Sequence, residues 1–489
     1  MKRFNKKIYK DAIIFCIILL INVVIFKNFL TEHYTTDSYN LINIGYIQYL
    51  KENFLPGGRI FSALLYYIGF LLKIPYESLF TLSLMGGLII STIMIIKLKN
   101  ICLKEKEKWS LLEIFILIIA SYYTIFNAMY LENLYFAETI IMALSVYFYM
   151  LAAKSCLEKG IIKSIVFACL GVFCYQGTVS AFFAFLILFE LLNNKDFLEI
   201  LKDMLWACCP IIVAISINMI QINLTCHILQ IEQHRLQFNI IYNFVLGFKQ
   251  VINMFMNTLH YGYYLYTIAF ISLLTLLCKE KKLKNYINFL NIIIIVVICL
   301  GAAIIPTLSG TSALFSTRIR FSVGACIGVV YLFLVTKTNI FSSNKIISIC
   351  FMVSLVIYGI LNTYSYIYNI EISKKIDIRD IQEAKNIANY IECYEAENNV
   401  EVTYIAIYLD YKNSYKGVYH DLLTDYSVMN WSALRTCWSS KEIIEYFGNK
   451  KLEKRCMTEE EKTKYLSEVD TDKGYLAMGN TLYITCYIN

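Results

Sequence analysis

YTTDSYNLINIGYIQYLKENFLPGGRIF, residues 34–61, follows the first long apolar run of the 489-residue chain and carries an acid, Asp37, near its start and a base, Arg59, near its end. Pro56, Gly57 and Gly58 predict a turn, after which Arg59 opens a short apolar run that ends near Leu72. Whether that run crosses a membrane decides every assignment downstream. If it did, the next apolar segment, about 76–97, would deliver Lys97, Lys99, Lys104, Lys106 and Lys108 to the outer side. That contradicts the bias that keeps lysine and arginine in the cytoplasm. Residues 59–73 are therefore expected to lie along the outer surface, with 38–55 forming an interfacial helix before them. Asp37 then becomes the one aspartate of the apolar part on the outer side, and an ionisable group held there at a cost points to function.

Working outward, the chain is 58% hydrophobic and 17% charged, with its apolar residues in blocks close to the roughly 20 that a spanning helix needs. The expected fold class is an all-α polytopic membrane protein. Its net charge of +7 resides in lysines between the blocks, so it reports orientation and not affinity for nucleic acid. Lys2, Arg3, Lys6, Lys7 and Lys10 precede a helix over about 11–30 and place the N-terminus inside. That helix is expected to be retained, because no small-residue cleavage site follows it. Further spans are expected near 76–97, 111–126, 138–153, 205–221, 261–278, 287–306, 319–336 and 346–367. Residues 164–192 are long for one helix and carry the polar break Tyr175, Gln176, Gly177, which predicts two short helices meeting at the outer face. Reading them as one helix would expose Lys279, Lys281, Lys282 and Lys284 outside. An amphipathic stretch is expected at about 239–256. The sum is about 11 transmembrane helices, with the C-terminus outside.

Two domains follow: a transmembrane domain, 1–370, and a small extracytoplasmic α/β domain, 371–489, which is charged and rich in tyrosine. The latter has helix-like EAKNIANYIECYEAE, SKEIIEYF and EEEKTKYLSE, strand-like VTYIAIYL, and a strand pair GYLAMGNTLYITCYI around a Gly-Asn turn. Most of the 16 cysteines sit singly in apolar runs as small hydrophobes, whereas Cys393, Cys437, Cys456 and Cys486 lie where disulfides could form. All five histidines, His33, His227, His234, His260 and His420, fall in expected outer segments. None has ligand spacing, so solvated or hydrogen-bonding histidines are favoured over a metal site. No cofactor is expected, although a divalent metal requirement stays open.

Insertion explains inner lysines but does not ask for carboxylates and arginines outside, so Asp37, Arg59, Glu132, Gln176, Arg235, Arg318 and Arg320 are the residues to interrogate. A carboxylate behind the first helix can remove a proton from a hydroxyl, and guanidinium groups pair bidentately with phosphate. Together these suit group transfer from a phosphate-bearing lipid, with Asp37 and Glu132 as catalytic candidates and Arg59, Gln176, Arg318 and Arg320 as binding candidates. Each also has a plainer reading. Asp37 could cap the following helix or sit in an exposed loop, Arg59 could snorkel to headgroups, and Arg318 and Arg320 could anchor a helix end. Of that last pair only one easily faces inward. Glu132, in YLENLYFAE, could be a loop or cap residue and Gln176 a hydrogen bond inside a helix hairpin. The aromatic residues near helix ends fit an interfacial belt.

The order of an acid after the first helix, a GR pair opening GGRIFSALLYYIGF, and a hairpin reading FCYQGTVSAFFAFLILF resembles the bacterial type II glucosyltransferases of O-antigen modification. More broadly it resembles the GT-C class of polyprenyl-phosphate-sugar-dependent glycosyltransferases. The resemblance implies a hexose, glucose in that family, passed from a polyprenyl-phosphate-linked donor to a cell-surface polysaccharide outside the cytoplasmic membrane. Members typically pair two acids in the first outer loop. Here the second position is Ser38, so either one carboxylate suffices or Glu132 supplies the other. The rival classes are a polysaccharide polymerase or ligase, which would normally carry a large polar loop between late helices, and a polysaccharide-lipid flippase. A flippase is expected to show two related halves with broken helices at the midplane, and no internal repeat is present.

Overall fold

Long apolar runs become the long helices, even across the Gly86–Gly87 pair and Pro210, and several of the breaks read from the sequence become helix ends. The computed structural model describes residues 2–30, 33–193, 195, 197–231, 239–257, 263–278, 282–308, 316–338, 340–410, 432–470 and 473–487. The chain divides into two compact units. The first comprises Met1–Lys27, Leu50–Ile74 and Ser78–Ile367; the second comprises Asn28–Tyr49, Pro75–Glu77 and Tyr368–Asn489.

In chain order the helices are α1 (Lys2–Ile25), α2 (Ser38–Tyr49), α3 (Ile60–Leu71), α4 (Tyr76–Cys102), α5 (Leu111–Ile125), α6 (Thr139–Leu157), α7 (Ile161–Cys174), α8 (Ser180–Leu192) and α9 (Phe197–Leu229). They continue as α10 (Ile240–Asn257), α11 (Tyr263–Leu276), α12 (Lys282–Ala302), α13 (Phe321–Lys337), α14 (Ile340–Ser343), α15 (Lys345–Asn398), α16 (Ser440–Gly448) and α17 (Glu459–Glu468). Among the described residues, five helices are long and apolar enough to cross a membrane: α4, α6, α9, α12 and α15. Shorter apolar helices, α3, α5, α7, α8, α10, α11 and α13 among them, stand beside these. The chain is thus mostly helical, as an α-helical membrane protein is. Large apolar side chains point outward along α9 (Leu205, Trp206, Ile212, Ile220) and α15 (Ile346, Val353, Ile357, Ile360), a surface suited to lipid and unfavourable in water.

Helices α8 and α13 occupy the centre of the first unit, since every residue of α8 and Phe321–Thr336 of α13 is buried. A helix apolar all round demands such a position. Gly324 and Gly328 let α13 lie hard against the end of α5, because a Cβ at either would strike Asn127 or Thr124. The 12-residue α3 is about 18 Å long, short of the roughly 30 Å of a hydrocarbon core. The break at 175–177 separates α7 from α8 as a single 3-10 turn, Gln176–Val179.

One boundary differs from expectation. The helix expected over 346–367 does not stop there: α15 is 54 residues long in all, runs on to Asn398 and absorbs EAKNIANYIECYEAE. Beyond Gly359 the segment holds neither glycine nor proline, so a change from apolar to charged residues ends the apolar part without ending the helix. Asn399 stops it in the left-handed region, φ 50°.

The second unit contains a sheet in the order β2-β1-β4-β3, formed by β1 (Tyr404–Asp410), β2 (Glu453–Arg455), β3 (Tyr475–Met478) and β4 (Thr481–Tyr487). Strand β1 runs parallel to β2 and β4, while β3 and β4 form the expected hairpin, with Gly479 at φ 59° supplying the turn. Alternation along the strands sorts the two faces. Ile405, Leu482, Ile484 and Cys486 pack with Ala384, Ile387 and Ile391 of α15, Ile443 and Ile444 of α16, and Tyr39 of α2. Ala406 and Tyr483 pack with Tyr465 of α17 on the other face. Residues 28–49 thus belong to the α/β unit, because Tyr39 is buried in its core. Burial accordingly pushes the Tyr39 hydroxyl well above its ordinary value. Cys393, Cys437, Cys456 and Cys486 are all free thiols.

Candidate functional site

In the first unit the turn Pro56–Arg59 is held from three directions by side-chain amides. Gln176 Nε2 donates to Gly57 O at 2.7 Å, Asn218 Nδ2 to Gly58 O at 2.9 Å, and Gln221 Nε2 to Leu55 O at 3.3 Å. Gln176 and Asn218 also meet each other at 3.0 Å. Gly58 is required twice over: its φ is +72°, and a Cβ would lie 2.6 Å from Asn218 Nδ2 and 2.8 Å from Gln176 Nε2. This turn delivers Arg59 to the N-terminus of α3. Its half-buried guanidinium lies 4.9 Å from the centre of the Tyr175 ring. No carboxylate or other hydrogen-bond acceptor among the described residues meets it, and its Nε is buried without a partner. A guanidinium can pair bidentately with a phosphate or a carboxylate.

Glu132 sits in a 3-10 turn, Leu131–Leu134, between α5 and α6. Its buried carboxylate accepts from Ser316 Oγ at 3.0 Å to each oxygen, from Thr317 Oγ1 at 2.7 Å and from Arg318 N at 2.8 Å. Arg318 Nε lies 3.7 Å from Oε1, and the Arg318 guanidinium stacks 4.4 Å from the Phe136 ring. Gly177 links the two clusters, since a Cβ there would meet Ile319 Cγ2 at 2.7 Å. Arg320 differs in kind. It is wholly buried, donates from Nη2 to Gln250 Oε1 at 2.9 Å and from Nη1 to the Ala303 carbonyl, and so ties the turn after α12 to α10. Gly247 and Asn243 of α10 grip the same turn, the latter through Leu308 O at 3.3 Å.

Of the residues singled out from the sequence, Arg59, Glu132, Gln176, Arg318 and Arg320 therefore lie in the first unit, on turns between apolar helices. Asp37 lies in the second. It precedes α2, half-buried, and its carboxylate accepts no hydrogen bond from the first turn of that helix among the described residues, so it does not cap α2. Ser38 is buried, accepts from Thr35 N at 2.8 Å and pairs with Tyr76 Oη at 2.5 Å. The second position of the acid pair is thus a structural node. His33 contacts Asp377 at 2.7 Å and stacks on Phe29. No group of three metal-ligating side chains occurs among the described residues. His234, Arg235, His260 and His420 lie outside the described residues.

Sequence reasoning missed Asn218 and Gln221, which set the Arg59 turn, and Glu138, a buried carboxylate that accepts from Tyr66 Oη of α3 at 3.1 Å. A signal was present for the first two. Asn218, Gln221 and Thr225 recur at helical spacing on one face of an apolar helix, where polar residues are costly and mark a purpose. Comparison with known proteins brings no counterpart: no family model, no curated protein and no solved structure matches this chain.

Proposed function

We propose that the protein is a GT-C-type membrane glycosyltransferase that passes a hexose, glucose by resemblance, from a polyprenyl-phosphate-linked donor to a cell-surface polysaccharide. The reaction belongs on the outer side of the cytoplasmic membrane, in a chain with about 11 spans, its N-terminus inside and its C-terminal unit outside. One observation carries the reading. Arg59 is held in a triply tethered turn at the end of an apolar helix, against Tyr175, with no counter-ion among the described residues. A lipid phosphate supplies the missing anion, and the apolar helices suit its tail.

The acceptor hydroxyl loses its proton, to Asp37 in the reading of the sequence, as its oxygen bonds to the anomeric carbon. The bond from that carbon to the phosphate oxygen breaks, and its electron pair leaves with the polyprenyl phosphate. Arg59 and Arg318 stabilise the charge gathering there. Arg320 is given no part in this, because its guanidinium is engaged with Ala303 and Gln250. Gln176 acts by holding the Arg59 turn.

The test is donor dependence. Purified protein in nanodiscs, with cell-envelope polysaccharide as acceptor, should release polyprenyl phosphate from undecaprenyl-phosphate-glucose and leave a nucleotide-linked glucose untouched. Transfer from the nucleotide sugar, or consumption of a lipid diphosphate in its place, would overturn the reading.

A further inference from the structure

We infer that Asn218 is a positioning residue: from the apolar helix α9 it locks the peptide group between Gly58 and Arg59 and so aims the Arg59 guanidinium at the donor phosphate. The inference rests on the function proposed above. A buried amide is costly in an apolar helix unless it is paired. Asn218 is 3% exposed, and both ends of its amide serve one turn. Nδ2 donates to Gly58 O at 2.9 Å, and Oδ1 accepts at 3.0 Å from Gln176 Nε2, which itself donates to Gly57 O. A longer contact, 3.5 Å, runs from Nδ2 to Gln221 Oε1.

Gly57 and Gly58 carry no Cβ, so the two peptide groups that lead into Arg59 are the ones most able to rotate. Each is pinned at both ends. In the Gly57–Gly58 peptide the carbonyl accepts from Gln176 at 2.7 Å and the N–H donates to Leu55 O at 3.1 Å. In the Gly58–Arg59 peptide the carbonyl accepts from Asn218 and the N–H donates to Phe54 O at 2.9 Å. The second of these decides the aim, because turning that plane changes φ of Arg59 and with it the direction in which the side chain leaves the backbone. A planar guanidinium meets phosphate by two parallel hydrogen bonds, so its direction governs whether both form. Gln221 serves the same turn differently: it donates to Leu55 O, four residues before Arg59, and does not hold the Gly58–Arg59 peptide.

The experiment is a double-mutant cycle on purified protein in nanodiscs, using Asn218→Leu, Arg59→Lys and the pair. Leucine suits the apolar helix and removes the bond to Gly58 O, while Gln176 keeps its bond to Gly57 O. The freedom that one residue's backbone regains is worth roughly 5- to 30-fold in affinity. Asn218→Leu should therefore raise the KM for undecaprenyl-phosphate-glucose about 10-fold, with kcat within about 2-fold. In the Arg59→Lys background the same change should move KM by less than about 2-fold, because an ammonium on a flexible stem does not depend on how the peptide plane is turned. Effects on KM that multiply would overturn the inference, since a mere strut damages both backgrounds alike. An unchanged KM in folded Asn218→Leu protein would overturn it too. If leucine does not fold, Asn218→Ala removes the same bond and is read in the same way; failure of both to fold would reduce Asn218 to a strut and overturn the inference. If the wild type transfers no glucose, the proposed function fails on its own. The same cycle is then read in the binding of polyprenyl phosphate alone, where coupling to Arg59 upholds the positioning role and multiplicative effects, or no binding by the wild type, overturn it.

Discussion

Replacing Arg59 by lysine asks whether this arginine binds phosphate or merely reaches toward headgroups. The charge survives Arg59→Lys, but two other things are lost. One is the planar stack on Tyr175, at 4.9 Å from the ring centre and worth about 1 kcal/mol at a partly buried site. The other is the second of two parallel hydrogen bonds to a phosphate, worth about 1.5–3 kcal/mol when charge-assisted. Together these amount to about 2–4 kcal/mol, or roughly a hundredfold in kcat/KM. The assay is the initial rate of polyprenyl phosphate release over a range of donor concentrations, with unfolding followed in the same preparation. The fold should lose no more than the Tyr175 contact, about 1 kcal/mol, since no acceptor among the described residues depends on Arg59. A rate within about twofold of wild type would refute the reasoning, because a snorkelling arginine tolerates lysine in that way.

Two further changes test the surroundings. Gly58→Ala should cost about 2–4 kcal/mol, from a left-handed φ on a residue with a Cβ and from the displaced Gln176 and Asn218 bonds. It should lower the Tm and raise the donor KM together, and an unchanged KM would show that the turn does not set Arg59. The orientation can be read from Cys393 and Cys456, both exposed free thiols of the second unit. A membrane-impermeant maleimide should label them in intact cells, whereas protection until lysis would reverse the assignment of sides.

Local chemistry was legible in the sequence, and long-range packing was not. The Tyr175–Gly177 break, the short run from Arg59 and the Gly479–Asn480 hairpin each follow from a residue type with one strong conformational preference. The length of α15 was hidden because hydropathy marks where apolar residues end, and Glu371, Lys374 and Lys375 are good enough helix formers to carry the backbone on. The membership of residues 28–49 in the α/β unit was hidden for another reason: nothing local to Tyr39 specifies that Ile387 and Leu482 will bury it. At the candidate site, arginine and carboxylate could be picked out by their cost in an apolar chain. Their division of labour could not, since Glu132 and Arg320, whose charged groups are hydrogen-bonded, and Arg59 and Asp37, whose charged groups meet no hydrogen-bond partner among the described residues, are alike in sequence.

The central claim is that Asp37 removes the proton in a transfer from a lipid-linked sugar, and Asp37→Asn tests it most directly. The amide keeps the size of the side chain but cannot take up the proton. Measured in nanodiscs with undecaprenyl-phosphate-glucose and cell-envelope polysaccharide, the variant should retain donor binding and a wild-type unfolding profile while losing transfer by at least about a hundredfold. Transfer at the wild-type rate by folded Asp37→Asn protein would contradict the account.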